Sequence, residues 1–119
     1  MSAQEADPIV IVGATRTPIG AFQGQFQSTN ATTLGGTAIA GALAQAGMSG
    51  SAEIGEVLMG CCLMAGLGQA PARQAAIAAG LPNSVGATTL SKMCGSGMKT
   101  VMLAHDQLRA GVADFFVAG

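Results

Sequence analysis

Four short β-like runs alternate with three helix-like runs along these 119 residues, and that alternation is the signature of an α/β layer fold with a mostly parallel sheet. The first run, "PIVIVGA" (8–14), is rich in β-branched residues and reads as a strand. "IGEVLMG" (54–60), "GATTL" (86–90) and "ADFFVAG" (113–119) are the other three. After the first comes an irregular stretch, "RTPIGAFQGQF" (16–26), punctuated by Pro18, Gly20 and Gly24. A helix then covers roughly 31–46, with Asn30, Thr32 or Thr33 available to cap its start and Gly47 to end it. Gly35, Gly36, Ala40, Gly41 and Ala44 leave that helix thin-walled, so a neighbour can approach closely. Pro71 begins the short helix "PARQAAIAA", which Gly80 stops and Pro82 follows. The third helix, 96–110, carries Met98, Val101, Met102, His105 and Leu108 at spacings of three and four, which predicts its buried face, and Gly111 closes it. No helix follows the last strand to cover it, which reads as a chain cut short.

Only 9% of the residues are charged and half are apolar, against about 25% charged in a typical soluble domain. A small domain has a large surface for its volume, so part of this surface is expected to be covered by more of the same chain, by other subunits, or by both. A net charge of −1 without any run of like charges gives no nucleic-acid footprint. The longest apolar stretch, "VLMGCCLMAGL" (57–67), contains glycines and falls short of the ~20 residues of a membrane span. "MSAQEADPIV" (1–10) has no basic start leading into an apolar core, so no signal peptide is expected. Without a secretion route, the sequon "NAT" (30–32) reads as chance. Three cysteines, with Cys61 and Cys62 adjacent, form no disulfide framework, and no CxxC or His/Cys cluster has zinc spacing. The expectation is a cytoplasmic protein with no metal site.

The chemistry concentrates in "TTLSKMCGSGMKTVML" (88–103), which sets Cys94 between a strand and a helix with Gly95 and Gly97 just behind it. Strand 86–90, helix 96–110 and strand 113–118 form a βαβ unit, and ligands of open α/β sheets gather at the carboxyl ends of the strands. Unpaired N–H groups at the helix start favour an anionic sulfur. The glycines let a substrate approach the backbone, and the same N–H groups can hydrogen-bond an oxyanion. Together these describe a nucleophile that forms an acyl-enzyme. A structural cysteine, packed as a small hydrophobe, accounts for the same residue, and the residues alone leave both readings open. Lys92 and Lys99 either favour an anion there or are ordinary solvated lysines. His105 lies about 16 Å of helical rise from the cysteine, beyond the reach of a general base, and is expected to be a packed core histidine. Cys61 and Cys62 are expected to be buried by packing.

Other chemistries lack their marks. Gly66-x-Gly68 and "IVGATR" make no dinucleotide fingerprint, "CGSG" does not fit the GxSxG of serine hydrolases, and a redox-active thiol would usually bring a resolving cysteine. A non-catalytic fragment acting only in subunit assembly is the remaining alternative.

"SKMCGSGMK" (91–99) resembles the nucleophile motif of thiolases, and "RTPIGAFQG" (16–24) and "GQAPARQAA" (68–76) resemble two further thiolase segments in the same order. Ser91 stands where Asn is common, Met93 where Val or Leu is frequent, and Ala70 where Asn is frequent. The resemblance implies a five-layered αβαβα architecture of two similar halves, of which residues 1–119 would be an incomplete N-terminal domain. It implies that Cys94 takes an acyl group from acyl-CoA and passes it to a second acetyl-CoA, reversibly. The bases, a histidine and a second cysteine, and most CoA-holding residues would lie downstream, so no CoA-binding residue is assigned and the fragment alone is expected to be inactive. Coenzyme A thioesters would be substrates, with no cofactor. The short-chain type that makes acetoacetyl-CoA is favoured over a degradative 3-ketoacyl-CoA thiolase. The resemblance also implies a homodimer or homotetramer, organised in part by Arg16, Gln69 and Arg73.

Overall fold

The computed structural model describes residues 7–119; the start of "MSAQEADPIV", on which the leader expectation rests, lies outside the described residues. Six elements follow one another: α1 (Ala31–Gln45), β1 (Ile54–Gly60), α2 (Pro71–Ala78), β2 (Gly86–Leu90), α3 (Ser96–Arg109) and β3 (Phe115–Ala118). The strands form one all-parallel sheet in the order β2-β1-β3. Parallel neighbours need a crossover connection, usually a helix, and α2 and α3 supply the two here. The β2–α3–β3 unit is present, but it steps over β1, which lies between its two strands.

β1 is buried on both sides. Val57, fully buried and opposite Ala87 and Val117, belongs to a core with Ile39 and Leu43 of α1 and Ala75 and Ala76 of α2. Its neighbour Leu58, which points to the other side of the pleat, is buried outside that core. α3 packs on β1 and β3. The thin-walled character of α1 is used as expected: a Cβ on Gly36 would lie 2.8 Å from the Ala78 Cβ, and one on Gly35 would lie 3.2 Å from the Ala75 Cβ. Each helix is closed by a glycine in the left-handed region, Gly47, Gly80 and Gly111, where residues with a Cβ are strained. Asn30 takes the N-cap position of α1, but its side chain makes no capping bond. Among the described residues no helix is long and apolar enough to cross a membrane.

Two expectations fail. Residues 8–14 form no strand. They dock on α1 instead: the Ala14 N–H donates to Gln45 Oε1 at 2.8 Å, the Thr15 hydroxyl donates to the Ala38 carbonyl at 2.7 Å, and a Cβ on Gly13 would sit 2.4 Å from the Ala42 carbonyl oxygen. β-Branched residues favour extended backbone, but a strand also needs a neighbour's N–H and C=O groups. Here an apolar cleft of about 930 Å³ opens between this segment, α1, α3 and β3, and Ile11 is left 80% exposed.

The face of α3 is the second failure. Ser96, Thr100 and Ala104 are its buried residues, while Met98 is 75% exposed and Val101 and Met102 are exposed beside it. Small side chains let the helix lie close on the sheet, and the periodic apolar stripe turns away. His105 is therefore not a packed core histidine: its side chain is 55% exposed, with Nδ1 3.1 Å from Asp106 Oδ1.

The α1–α2 contact generates a stability test. Valine at position 36 must displace the α2 backbone or the Ala78 side chain, and overpacking of this kind costs about 1–3 kcal/mol. Gly36→Val is expected to lower the urea midpoint accordingly, with the slope of the transition unchanged.

Candidate active site

β2 ends at Leu90, whose carbonyl accepts the Cys61 N–H at 2.9 Å and so ties the strand to the chain leaving β1. The backbone then reverses in a tight turn closed by the Gly95 N–H donating to the Lys92 carbonyl at 3.0 Å. Met93 has φ +47° in this turn, a left-handed conformation that costs a residue with a Cβ roughly 1–2 kcal/mol. The Ser96 side chain compensates. Its Oγ accepts the Lys92 N–H at 2.8 Å and donates to the Met93 carbonyl at 2.6 Å, and the residue is 5% exposed. Cys94 sits at the tip, exposed, two positions before the first residue of α3. The N–H groups of Gly97 and Met98 find no acceptor among the described residues.

Cys94 is exposed on this chain. The structure places it where the sequence placed it, at the carboxyl end of a strand and the start of a helix. His105 pairs with its neighbour Asp106 and not with the thiol. Lys92 is exposed and Lys99 half-buried. Cys61 is half-buried, whereas Cys62 is exposed, so the packing expected for the adjacent pair fails for Cys62. It lies just past the end of β1, where the sheet no longer covers it.

The glycines divide into two kinds. Added Cβ atoms on Gly95 and Gly97 would meet only the Lys92 oxygen and the Gly119 carbonyl carbon, each at an ordinary 3.5 Å. Gly60, at the end of β1, is the crowded one: its Cβ would fall 2.6 Å from the Ser96 carbonyl carbon, 2.7 Å from the Gly97 nitrogen and 2.8 Å from the Ser96 Cβ. The first turn of α3 therefore rests directly on β1 backbone. Sequence reasoning missed both Gly60 and Ser96; the signal available was a glycine ending an apolar run and a serine in the turn.

A second set of bonds holds β2. The Arg73 guanidinium donates to the carbonyls of Val85 and, at 3.0 Å, Asn83. Thr89 Oγ1 accepts the Ala72 N–H at 3.0 Å and so caps α2 from the neighbouring strand, since the N-cap residue Ala70 offers no side-chain bond. Gln74 Nε2 donates to the carbonyls of Leu67 and Gln69 at 2.7 and 2.8 Å. Among the described residues Arg16 bonds only to the adjacent Thr17 carbonyl.

This strand–turn–cysteine–helix arrangement can be set beside known proteins. Residues 9–119 match the family described as thiolase, N-terminal domain. The chain belongs to the thiolase family. It is 53% identical over 111 residues to the mitochondrial acetyl-CoA acetyltransferase of Danio rerio, covering 93% of this chain and 26% of that protein. It is 52% identical to acetyl-CoA acetyltransferase 2 of Arabidopsis thaliana, covering 93% of this chain and 27% of that protein. Against the mitochondrial acetyl-CoA acetyltransferase of Bos taurus it is 48% identical over all 119 residues, or 28% of that protein. This thiolase chain thus spans 26–28% of the length of these curated relatives.

The names correct one expectation. A cytoplasmic setting is overturned, because the zebrafish, bovine and human relatives are named mitochondrial proteins. The lack of a disulfide framework separates oxidising from reducing surroundings, and does not tell one reducing compartment from another.

Gly60→Ala in this thiolase chain is expected to cost about 1–3 kcal/mol by overpacking and to slow labelling of Cys94 by iodoacetamide. Gly97→Ala, where the added methyl meets ordinary contacts, should leave the urea midpoint unchanged or higher.

Proposed function

We propose that this chain carries the nucleophile of an acetyl-CoA acetyltransferase, with Cys94 as the residue that is acylated. The observation that carries the reading is the placement of exposed Cys94 in the turn leading from β2 into α3, just ahead of Gly97 and Met98, whose N–H groups have no acceptor among the described residues. The names of the relatives support the substrate class.

In this reading the Cys94 sulfur attacks the carbonyl carbon of acetyl-CoA. Free amide hydrogens at the helix start suit the oxygen on which charge develops, and the CoA sulfur leaves to give an acetyl thioester on Cys94. A base supplied by chain beyond these residues removes a proton from the methyl carbon of a second acetyl-CoA. That carbon attacks the Cys94 thioester, a carbon–carbon bond forms, the Cys94 sulfur departs, and acetoacetyl-CoA is released. The reverse is thiolysis by CoA. Coenzyme A thioesters are substrates here, and no resident cofactor is part of the proposal.

The same reading makes residues 1–119 an incomplete N-terminal domain. Its support is the share of the relatives' length that the chain spans, the apolar cleft beside residues 8–14, and the exposed stripe of Met98, Val101 and Met102. Exposed apolar surface on a chain with 9% charged residues also supports association of subunits into a dimer or tetramer.

Incubation of the full-length protein with radiolabelled acetyl-CoA should place label on the peptide containing Cys94. Cys94→Ser should lower acetyl transfer by about 10³-fold or more. A polypeptide ending at Gly119 should show no thiolysis of acetoacetyl-CoA. Label on another residue, or undiminished turnover by Cys94→Ser, would overturn the reading.

A further inference from the structure

We infer that Ser96 is a positioning residue for Cys94: its buried hydroxyl holds Met93 in the left-handed conformation that sets where the sulfur points. The functional significance of this device rests on the reading of Cys94 as nucleophile, while the device itself rests on geometry. Met93 is the only residue of the turn held at positive φ, and methionine gains nothing there that glycine would not have more cheaply. Something must hold it. The turn's own bond, Gly95 N–H to Lys92 carbonyl, holds the peptide before Met93 and leaves the Met93 carbonyl to another partner. Ser96 engages it twice, through its N–H and through its hydroxyl, both donating to the Met93 carbonyl. The hydroxyl also accepts the Lys92 N–H, so one side chain grips the backbone on both sides of the strained residue.

Ser96 is not acting as a helix cap. The N-cap residue of α3 is Gly95, which has no side-chain bond, and the Ser96 hydroxyl reaches backward, out of the helix. It is itself fixed, because the Gly60 backbone lies against its Cβ and carbonyl carbon. The chain of support runs from β1, through Gly60, to Ser96, to Met93, to the sulfur. Without the hydroxyl, Met93 relaxes toward negative φ, and the Cys94 side chain is re-aimed with it.

The test uses the full-length protein and iodoacetamide, with mass spectrometry to read the ratio of Cys94 labelling in the native protein to its labelling after denaturation, and Cys62, exposed on this chain, followed alongside. Ser96→Ala should lower that ratio about tenfold, a difference equivalent to about 1.4 kcal/mol. Adding Met93→Gly should restore it, because glycine takes the left-handed conformation without a hydroxyl to hold it. A merely structural serine would not give a loss confined to Cys94 and rescued at position 93. An unchanged or raised ratio in folded Ser96→Ala, or a double variant that stays low, would overturn the inference. Should Ser96→Ala lose its cooperative thermal transition, the folded double variant decides alone: a wild-type ratio supports the device and a tenfold lower one rejects it. Because no acyl-CoA is used, the result is independent of whether Cys94 is the acylated residue. If it is, kcat for acetyl transfer should fall in step with the labelling ratio while KM for acetyl-CoA holds.

Discussion

The backbone contact between Gly60 and the first turn of α3 organises this molecule. β1 is the middle strand, so whatever rests on its end is referred to both neighbours at once. Three chain segments converge there. The Gly60 N–H donates to the Gly119 carbonyl at 2.6 Å, the Gly119 N–H donates to the Leu58 carbonyl at 3.0 Å, and the Thr100 hydroxyl bonds the carbonyls of Gly97 and Gly119. Main chain against main chain leaves no rotamers to sample, so the start of α3 is located more tightly than side-chain packing alone would allow. The Cys94 turn inherits that definition, since Ser96 belongs to the same contact and grips the turn from within.

Much of the architecture was legible because the information is local. Proline at position 71 and glycines at 47, 80 and 111 punctuate the chain by their own dihedral preferences, and the elements fall within a residue or two of the expected limits. Strand 86–90 and the start of α3 at Ser96 agree to the residue. Residues 8–14 were misread for the opposite reason. Their composition fixes an extended backbone, but pairing depends on a partner that no local pattern names. The third helix shows a related limit. Periodicity finds an apolar stripe, yet the stripe does not say which neighbour takes it, and on α3 the smaller residues Ser96, Thr100 and Ala104 win the sheet.

The site divides in the same way. The position of Cys94 between a strand and a helix could be read because it is a matter of sequence order. Ser96 and Gly60 could not, because their roles arise from contact between segments far apart in the chain and from the direction of one hydroxyl. Met93 is the least readable of all. Left-handed residues announce themselves in sequence when they are Gly, Asn or Asp, and a methionine there leaves no mark. Its presence at Met93 became interpretable only beside the Ser96 bonds that offset it.

Two kinds of glycine then separate around one sulfur. Gly60 faces inward, and the chain's own packing accounts for it completely, since any Cβ would strike the backbone of Ser96 and Gly97. Gly95 and Gly97 are half-buried, take ordinary negative-φ or helical backbone, and would admit a methyl at 3.5 Å. Nothing in the packing of the described residues requires either. Gly95 is an N-cap, where glycine is preferred to alanine, whereas Gly97 within the helix forfeits roughly 0.5–1 kcal/mol against alanine. The Gly97 deficit has no compensation among the described residues, where the Gly119 carbonyl carbon is all that an added Cβ would meet. In the proposed reading of Cys94, the missing side chains leave the backbone beside the turn open to a substrate. The inward glycine thus locates the turn, and the other two leave its flank without side chains.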